Sequence, residues 1–162
     1  KLKALFIVIP LCFSLSGSLS ADWVNVPASA FHQGDESTKA SYLLSNDGGY
    51  VYCPHQSACL YATVLLPDGA LLKEIEITCY EDHVEDFTVN LVRKNIFNGD
   101  EVVLFSVSTF GAQSFVYNKA DRSISPSPSY ARVYNNACEY YVSICLPAGT
   151  DTRLYGVAIR YD

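Results

Sequence analysis

Leu72-Lys73-Glu74-Ile75-Glu76-Ile77-Thr78-Cys79-Tyr80 alternates apolar and polar side chains with a period of two. Successive side chains of a strand point to opposite faces. Ile75, Ile77 and Cys79 therefore face one side, and Glu74, Glu76 and Thr78 the other, which is the pattern of a half-buried β-strand. Just upstream, Cys59 to Leu66 reads as a second strand. Pro67-Asp68-Gly69 between them has turn chemistry, with glycine where the backbone requires positive φ.

The same cadence extends in both directions. Trp23 to Val26 reads as a strand, residues 32–41 as a polar loop, and Asn46 to Gly49 as a turn before the short run Tyr50 to Cys53. Downstream, Phe87, Val89 and Leu91 alternate with Thr88 and Asn90. Asn98-Gly99 is a hairpin signal ahead of Val102 to Ser108. Phe115 to Tyr117, Ala131 to Tyr134, Glu139 to Cys145 and Leu154 to Tyr161 complete the strands. Ser123 to Ser129, rich in Pro and Ser, cannot join a central ladder. No long 3.6-residue stripe occurs after the first segment. Nine to eleven short strands at this spacing predict an all-β fold, a single antiparallel β-sandwich. A jelly roll fits better than an immunoglobulin domain, because Trp23 precedes every later Cys and the Cys…Trp…Cys spacing is missing.

The first 21 residues read differently. Lys1 to Lys3 is basic, Ala4 to Leu15 almost wholly apolar, and Ser16 to Ala21 small and polar. That is the three-part form of a secretory signal peptide, with cleavage expected after Ala21. The apolar run is too short to span a bilayer, which needs ~20 residues. Residues 22–162 then form the one mature domain, exported to an extracellular or periplasmic space, with no membrane span. The 162-residue chain carries a net charge of −6, and its first 21 residues hold two lysines and no acid. The remainder therefore carries nine basic against 17 acidic residues, a net −8. Such an acidic domain is unsuited to nucleic acid, whose binding relies on Lys and Arg neutralising phosphates.

Export makes the cysteines candidates for disulfides. Beyond Cys12 there are five, Cys53, Cys59, Cys79, Cys138 and Cys145, so one thiol at least is left over, buried or intermolecular. Cys53 and Cys59 bracket a turn-like segment and could close locally. Cys79 and Cys138 both have inward parity, and a core bridge between them would stabilise by about 4 kcal/mol in the chain-entropy model. Zinc at Cys53, His55 and Cys59 lacks the second ligand pair that structural sites use.

Motifs for catalysis are weak. The chain has no G-x-S-x-G; Gly111 to Phe115 lacks the spacing and the following helix. Nor does it have the glycine patterns of nucleotide sites. Glu81, Asp82, Glu85 and Asp86 enclose His83 in a loop between two strands. Asp82, Glu85 and Asp86 are a candidate Ca²⁺ set, since Ca²⁺ takes several oxygen ligands, though their spacing matches no EF-hand. Given that missing pattern, a charged, solvated loop at a sheet end is the better explanation.

Twelve tyrosines form a surplus. Among Tyr42, Tyr50, Tyr52, Tyr61, Tyr130, Tyr134, Tyr141 and Tyr155, several face outward by parity. A flat ring with a hydroxyl suits sugar or protein contacts, although tyrosines also simply populate strands.

The stretch Tyr61 to Ala70, with its Leu66-Pro67-Asp68-Gly69-Ala70 turn, then Ile75, Ile77, Cys79-Tyr80 and Asp82, resembles a set of small exported bacterial proteins of unknown function. Leu91-Val92-Arg93, Asn135-Asn136 before a Tyr-rich strand, and Gly156 to Tyr161 are similar as well. The resemblance spans most of residues 22–162 and implies the same fold, with no catalytic residues to carry over. Glu81 ahead of Asp82 departs from the pattern, and Cys53, Cys138 and Cys145 fall outside it.

The expectation is a secreted, non-catalytic β-sandwich that binds a protein or glycan ligand or serves a structural role, with no cofactor. Two alternatives stand beside it. One is a Ca²⁺-dependent lectin-like protein or hydrolase using loop 81–86. The other is a self-assembling homo-oligomer, joined by the leftover thiol or an open sheet edge.

Overall fold

The computed structural model describes residues 21–34, 42–45, 47, 49–125 and 127–162. The expected signal segment lies outside the described residues except for Ala21, as do residues 35–41 of the polar loop expected over 32–41, whose first two residues, His32–Gln33, instead pair as a short strand with Tyr61 and Leu60. The regular structure of the described chain is almost all strand: β1 Asp22–Pro27, β2 His32–Gln33, β3 Leu43–Leu44, β4 Val51–Cys53, β5 Ala58–Thr63, β6 Leu72–Glu81, β7 Thr88–Asn95, β8 Glu101–Ser108, β9 Gln113–Asp121, β10 Cys138–Leu146 and β11 Gly149–Tyr161.

These strands form two antiparallel sheets, the expected sandwich. The first has the order β3-β4-β11-β6-β9, with β1 also paired to β11; the second has the order β2-β5-β10-β7-β8. The long β11 is the spine of the first sheet. One side of it pairs with β6 from Thr152 to Tyr161, while the other pairs with β4 and then β1. A register shift between Leu154 and Gly156 marks the changeover.

The alternation in β6 is realised as read. Ile75, Ile77 and Cys79 are fully buried, facing Leu60, Val89, Leu91, Val142 and Ile144 in one apolar cluster with Leu154 and Ile159. Each such side chain contributes roughly 1.5–3 kcal/mol by leaving water. The turn after β5 places Gly69 at φ 79 and the β7–β8 hairpin places Gly99 at φ 77, as both motifs require. The strand expected over Ala131 to Tyr134 is replaced by a 3-10 turn, Pro128–Ala131, capped by the Ser127 side chain. Only Arg132 bridges to Leu71. Conversely, β9 runs for nine residues where only Phe115 to Tyr117 was expected. It pairs with β6 over its length, but as a sheet edge it needs no clean apolar face.

The cysteine pairing differs from expectation. Cys59 is joined to Cys145, while Cys53, Cys79 and Cys138 are free and buried. Cys59 and Cys145 both point outward and stand directly opposite in the β5–β10 register, with Cα atoms 3.9 Å apart. Cys53 points into the core from the other sheet, so it cannot reach Cys59. Cys138 lies opposite Asn95 at one end of the sandwich, where its sulfur accepts a hydrogen bond from Arg93 Nε at 2.9 Å. Cys79 lies near the other end, two residues from Glu81, which meets Thr109 beyond β8. Their expected bridge would have to span most of β7, a gap of roughly 20 Å at ~3.3 Å per residue. Burial pushes the thiols of Cys53 and Cys79 up to about 11, so both stay protonated.

Two carboxylates on β6 are buried and stabilised in opposite ways. Glu74, on the outer face, receives Arg122 Nε at 2.9 Å and an Arg160 terminal nitrogen at 3.2 Å. Glu81, on the inner face, has no ion pair among the described residues; Thr109 Oγ1 donates to it at 2.9 Å and Tyr117 Oη at 3.2 Å. Burial pushes the Glu81 carboxyl above the ordinary carboxylate range, against the lowering effect of those two hydrogen bonds.

Two predictions follow from this packing. The Cys59–Cys145 bridge closes a loop with a sequence separation of 86, so the Cys59→Ala/Cys145→Ala double variant should lose about 4–5 kcal/mol in urea unfolding. Its circular dichroism should stay that of a β-protein, because the core does not include that bridge. For Glu81, the raised pKa means the unfolded chain gives up the proton first, so this group's contribution is complete at low pH and lost as pH rises through the folded value. Glu81→Gln should therefore melt a few degrees higher than the parent at neutral pH, at ~2–4 °C per kcal/mol. The gain should vanish in acid when melting is followed by calorimetry across the pH range.

Candidate functional site

The acidic loop is a clamp in this structure. Asp82 Oδ1 accepts from Ser114 Oγ at 2.9 Å, and Asp86 Oδ1 accepts from the Gly111 N–H at 2.8 Å. With Glu81 on Thr109, three carboxylates of residues 81–86 grip the connection between β8 and β9. His83 Nδ1 accepts from the Glu85 N–H at 3.1 Å. The candidate ligands Asp82, Glu85 and Asp86 are not drawn together. Among the described residues no three His, Cys, Asp or Glu side chains are grouped to hold a metal ion.

A concavity lies elsewhere, over the outer face of the β2-β5-β10-β7-β8 sheet. It is a groove of about 710 Å³ whose walls include Gln33, Tyr61, Lys94, Glu101, Glu139 and Tyr141. Alternation puts these side chains there: with Leu60 and Ala62 inward on β5, Cys59, Tyr61 and Thr63 point out, and with Tyr140 and Val142 inward on β10, Glu139 and Tyr141 point out. Tyr141 stands opposite Thr63 and Tyr61 opposite Ser143, so the two rings are diagonal neighbours. Their centroids lie 5.9 Å apart at 61°. The backbone of Gly34 runs against the other ring: a Cβ there would meet Tyr61 Cδ2 at 2.9 Å, so any larger residue would push the tyrosine out of position.

Polar groups stand beside the rings. Lys94 Nζ on β7 lies 3.7 Å from Glu101 Oε1 of β8 and 3.5 Å from Glu139 Oε1 of β10. Partial burial, then the hydrogen-bonded carboxylate of Glu101, push the Tyr141 hydroxyl up to about 12. That hydroxyl is therefore a neutral donor across the working pH range. The Cys59 end of the disulfide lines the same groove.

Among the described residues, two half-buried rings stand here beside one ammonium, two carboxylates and the Gln33 and Gln56 amides. The rings offer flat apolar faces to C–H groups and the polar side chains offer donors and acceptors to hydroxyls. Tyr61 and Tyr141 belong to the set of eight tyrosines in which parity predicts several outward side chains. That reading does not single out Lys94, Glu101 or Glu139. Their outward parity is legible, but their convergence depends on the pairing of β10 with β7 and of β7 with β8.

No family model and no curated protein matches this sequence. Solved structures do share its fold. The xylan-binding module CBM15 is similar with a TM-score of 0.57 at 8% identity, over 88% of this chain and 97% of that one. The C-terminal CBM6 of LamC, a marine laminarinase from Zobellia galactanivorans, has a TM-score of 0.53 at 10% identity, over 85% and 98% of the two chains. The CBM36-1 domain of a multidomain xylanase from the hindgut metagenome of Trinervitermes trinervoides has a TM-score of 0.50 at 10% identity, over 85% and 96%. At these identities the likeness is one of architecture: this chain has the jelly-roll β-sandwich that those modules use.

Proposed function

We propose that this protein is a secreted, non-catalytic glycan-binding module whose ligand lies in the groove over Tyr61 and Tyr141. The observation that carries the reading is the pair of rings set beside Lys94, Glu101 and Glu139 on one sheet face. A rigid sheet holds such a platform without rearrangement, which limits the ordering cost of binding. The shared architecture with xylan-binding CBM15 and with CBM6 supports the same reading. The exposed disulfide fits an oxidising, extracellular setting. Among the described residues no helix is long and apolar enough to cross a membrane.

The charges of the groove favour neutral polysaccharides, because two carboxylates flank its one ammonium. Affinity electrophoresis through xylan, β-glucan and mannan should retard the parent protein on at least one of them. Tyr61→Ala and Tyr141→Ala should each weaken that retention by about tenfold, since an aromatic contact contributes up to ~1.5 kcal/mol beyond its buried area. Glu81→Gln, changed inside the core, should migrate like the parent. Free migration of the parent in all three gels, or unaltered retention of both tyrosine variants, would exclude this face as the ligand site.

A further inference from the structure

The outer face of the opposite sheet carries a second aromatic cluster, built around a cation. Tyr50 and Tyr52 flank the start of β4 and point outward, away from buried Val51 and Cys53. The Tyr50 ring centroid lies 5.7 Å from that of Tyr52 and 5.4 Å from that of Tyr155 on β11. The guanidinium of Arg153 sits between two rings, 5.1 Å from the Tyr50 centroid and 5.0 Å from that of Tyr80 on β6. Five half-buried side chains from three strands thus form one continuous surface. Beside Tyr155 the surface dips into a depression of about 260 Å³ walled by Asn25, Pro27, Thr78 and Gly156. Gly156 keeps it open, for a Cβ there would lie 3.2 Å from the Val26 carbonyl oxygen.

Three neighbouring cations are paired to carboxylates, while Lys119 on β9 lies over the Phe110 ring, 6.0 Å from its centroid. Arg122 and Arg160 share Glu74, and Lys73 is held by Asp162 at 2.9 Å. Arg153 has no carboxylate partner among the described residues. Its Nε donates to the Thr150 carbonyl oxygen at 3.1 Å, which anchors the fork and leaves the terminal nitrogens as donors. A planar guanidinium fixed between rings, with its outer edge unused, matches the two oxygens of a carboxylate.

We infer that this face is a second glycan site, selective for a sugar bearing a carboxylate: Arg153 takes the carboxylate of a uronic acid, and Tyr155, beside the depression, carries the ring. The site stands on residues separate from the Tyr61–Tyr141 groove and is opposite to it in charge preference. Calorimetric titration of the whole domain with trigalacturonate, a neutral xylo-oligosaccharide and a sulfated dextran oligomer tests it. The parent should bind trigalacturonate. Arg153→Gln should lose that binding by about tenfold or more, and Arg153→Lys should not restore it, because an ammonium keeps the charge without the fork. Tyr155→Ala should weaken it as well, and it provides the test should either Arg153 variant fail to fold. Tyr61→Ala and Tyr141→Ala should leave it unchanged, so failure of the groove reading and failure of this one are told apart. The inference is overturned by a parent that ignores trigalacturonate, by full retention in Arg153→Gln or Tyr155→Ala, or by loss in Tyr61→Ala. Equal or tighter Arg153-dependent binding of the sulfated oligomer overturns the carboxylate assignment.

Discussion

Everything in this molecule rests on the pairing of β6 with β11. The two strands run side by side from Thr152 opposite Glu81 to Tyr161 opposite Leu72. Their inward residues, Ile75, Ile77, Cys79, Leu154, Val157 and Ile159, supply the apolar face of one sheet. Because an unpartnered apolar sheet face is unstable in water, that surface requires a second sheet. β5, β7 and β10 supply it through Leu60, Ala62, Val89, Leu91, Val142 and Ile144. Once both inner faces are committed to the core, the two outer faces are what remains for recognition.

β6 also shows how a narrow core accommodates charge. Glu74 and Glu81 are both buried, yet one keeps its charge company with two guanidinium groups and the other is met only by hydroxyls. The first arrangement fastens the outer face of the sheet, tying β11 and the segment after β9 to β6. The second sits where the β8–β9 connection closes over the end of the sandwich. It makes Glu81 part of the fold, and the acidic loop that follows a latch on residues 109–114.

The outer faces have diverged in character. Over the β5-β10-β7 region two tyrosines stand beside a lysine that two carboxylates already neutralise. Over the β4-β11-β6 region tyrosines surround a guanidinium that has no carboxylate partner among the described residues. Both surfaces are built on continuous strands, so their side chains are held at fixed spacings by the backbone ladder. The Cys59–Cys145 bridge adds a covalent tie across the first of them, and its Cys59 end lines the groove there.

How much of this could be read in advance follows from the range of each interaction. Alternation is local, so the sequence determined by itself that Ile75, Ile77 and Cys79 are inside, that Tyr61 and Tyr141 are outside, that Gly69 and Gly99 sit in turns, and that the domain is a β-sandwich. The short strand expected over Ala131 to Tyr134 failed for a local reason as well, Pro128 and the Ser127 cap that favour a 3-10 turn. Strand partnership is not local. Which cysteine stands across from Cys59, which carboxylates reach Lys94, and whether Asp82, Glu85 and Asp86 share a point or grip separate partners depend on registers between segments far apart in the chain. A pleat repeats identically at every second residue, so alternation fixes the face a side chain occupies but not its neighbour across the ladder. Only the packed sheets decide that.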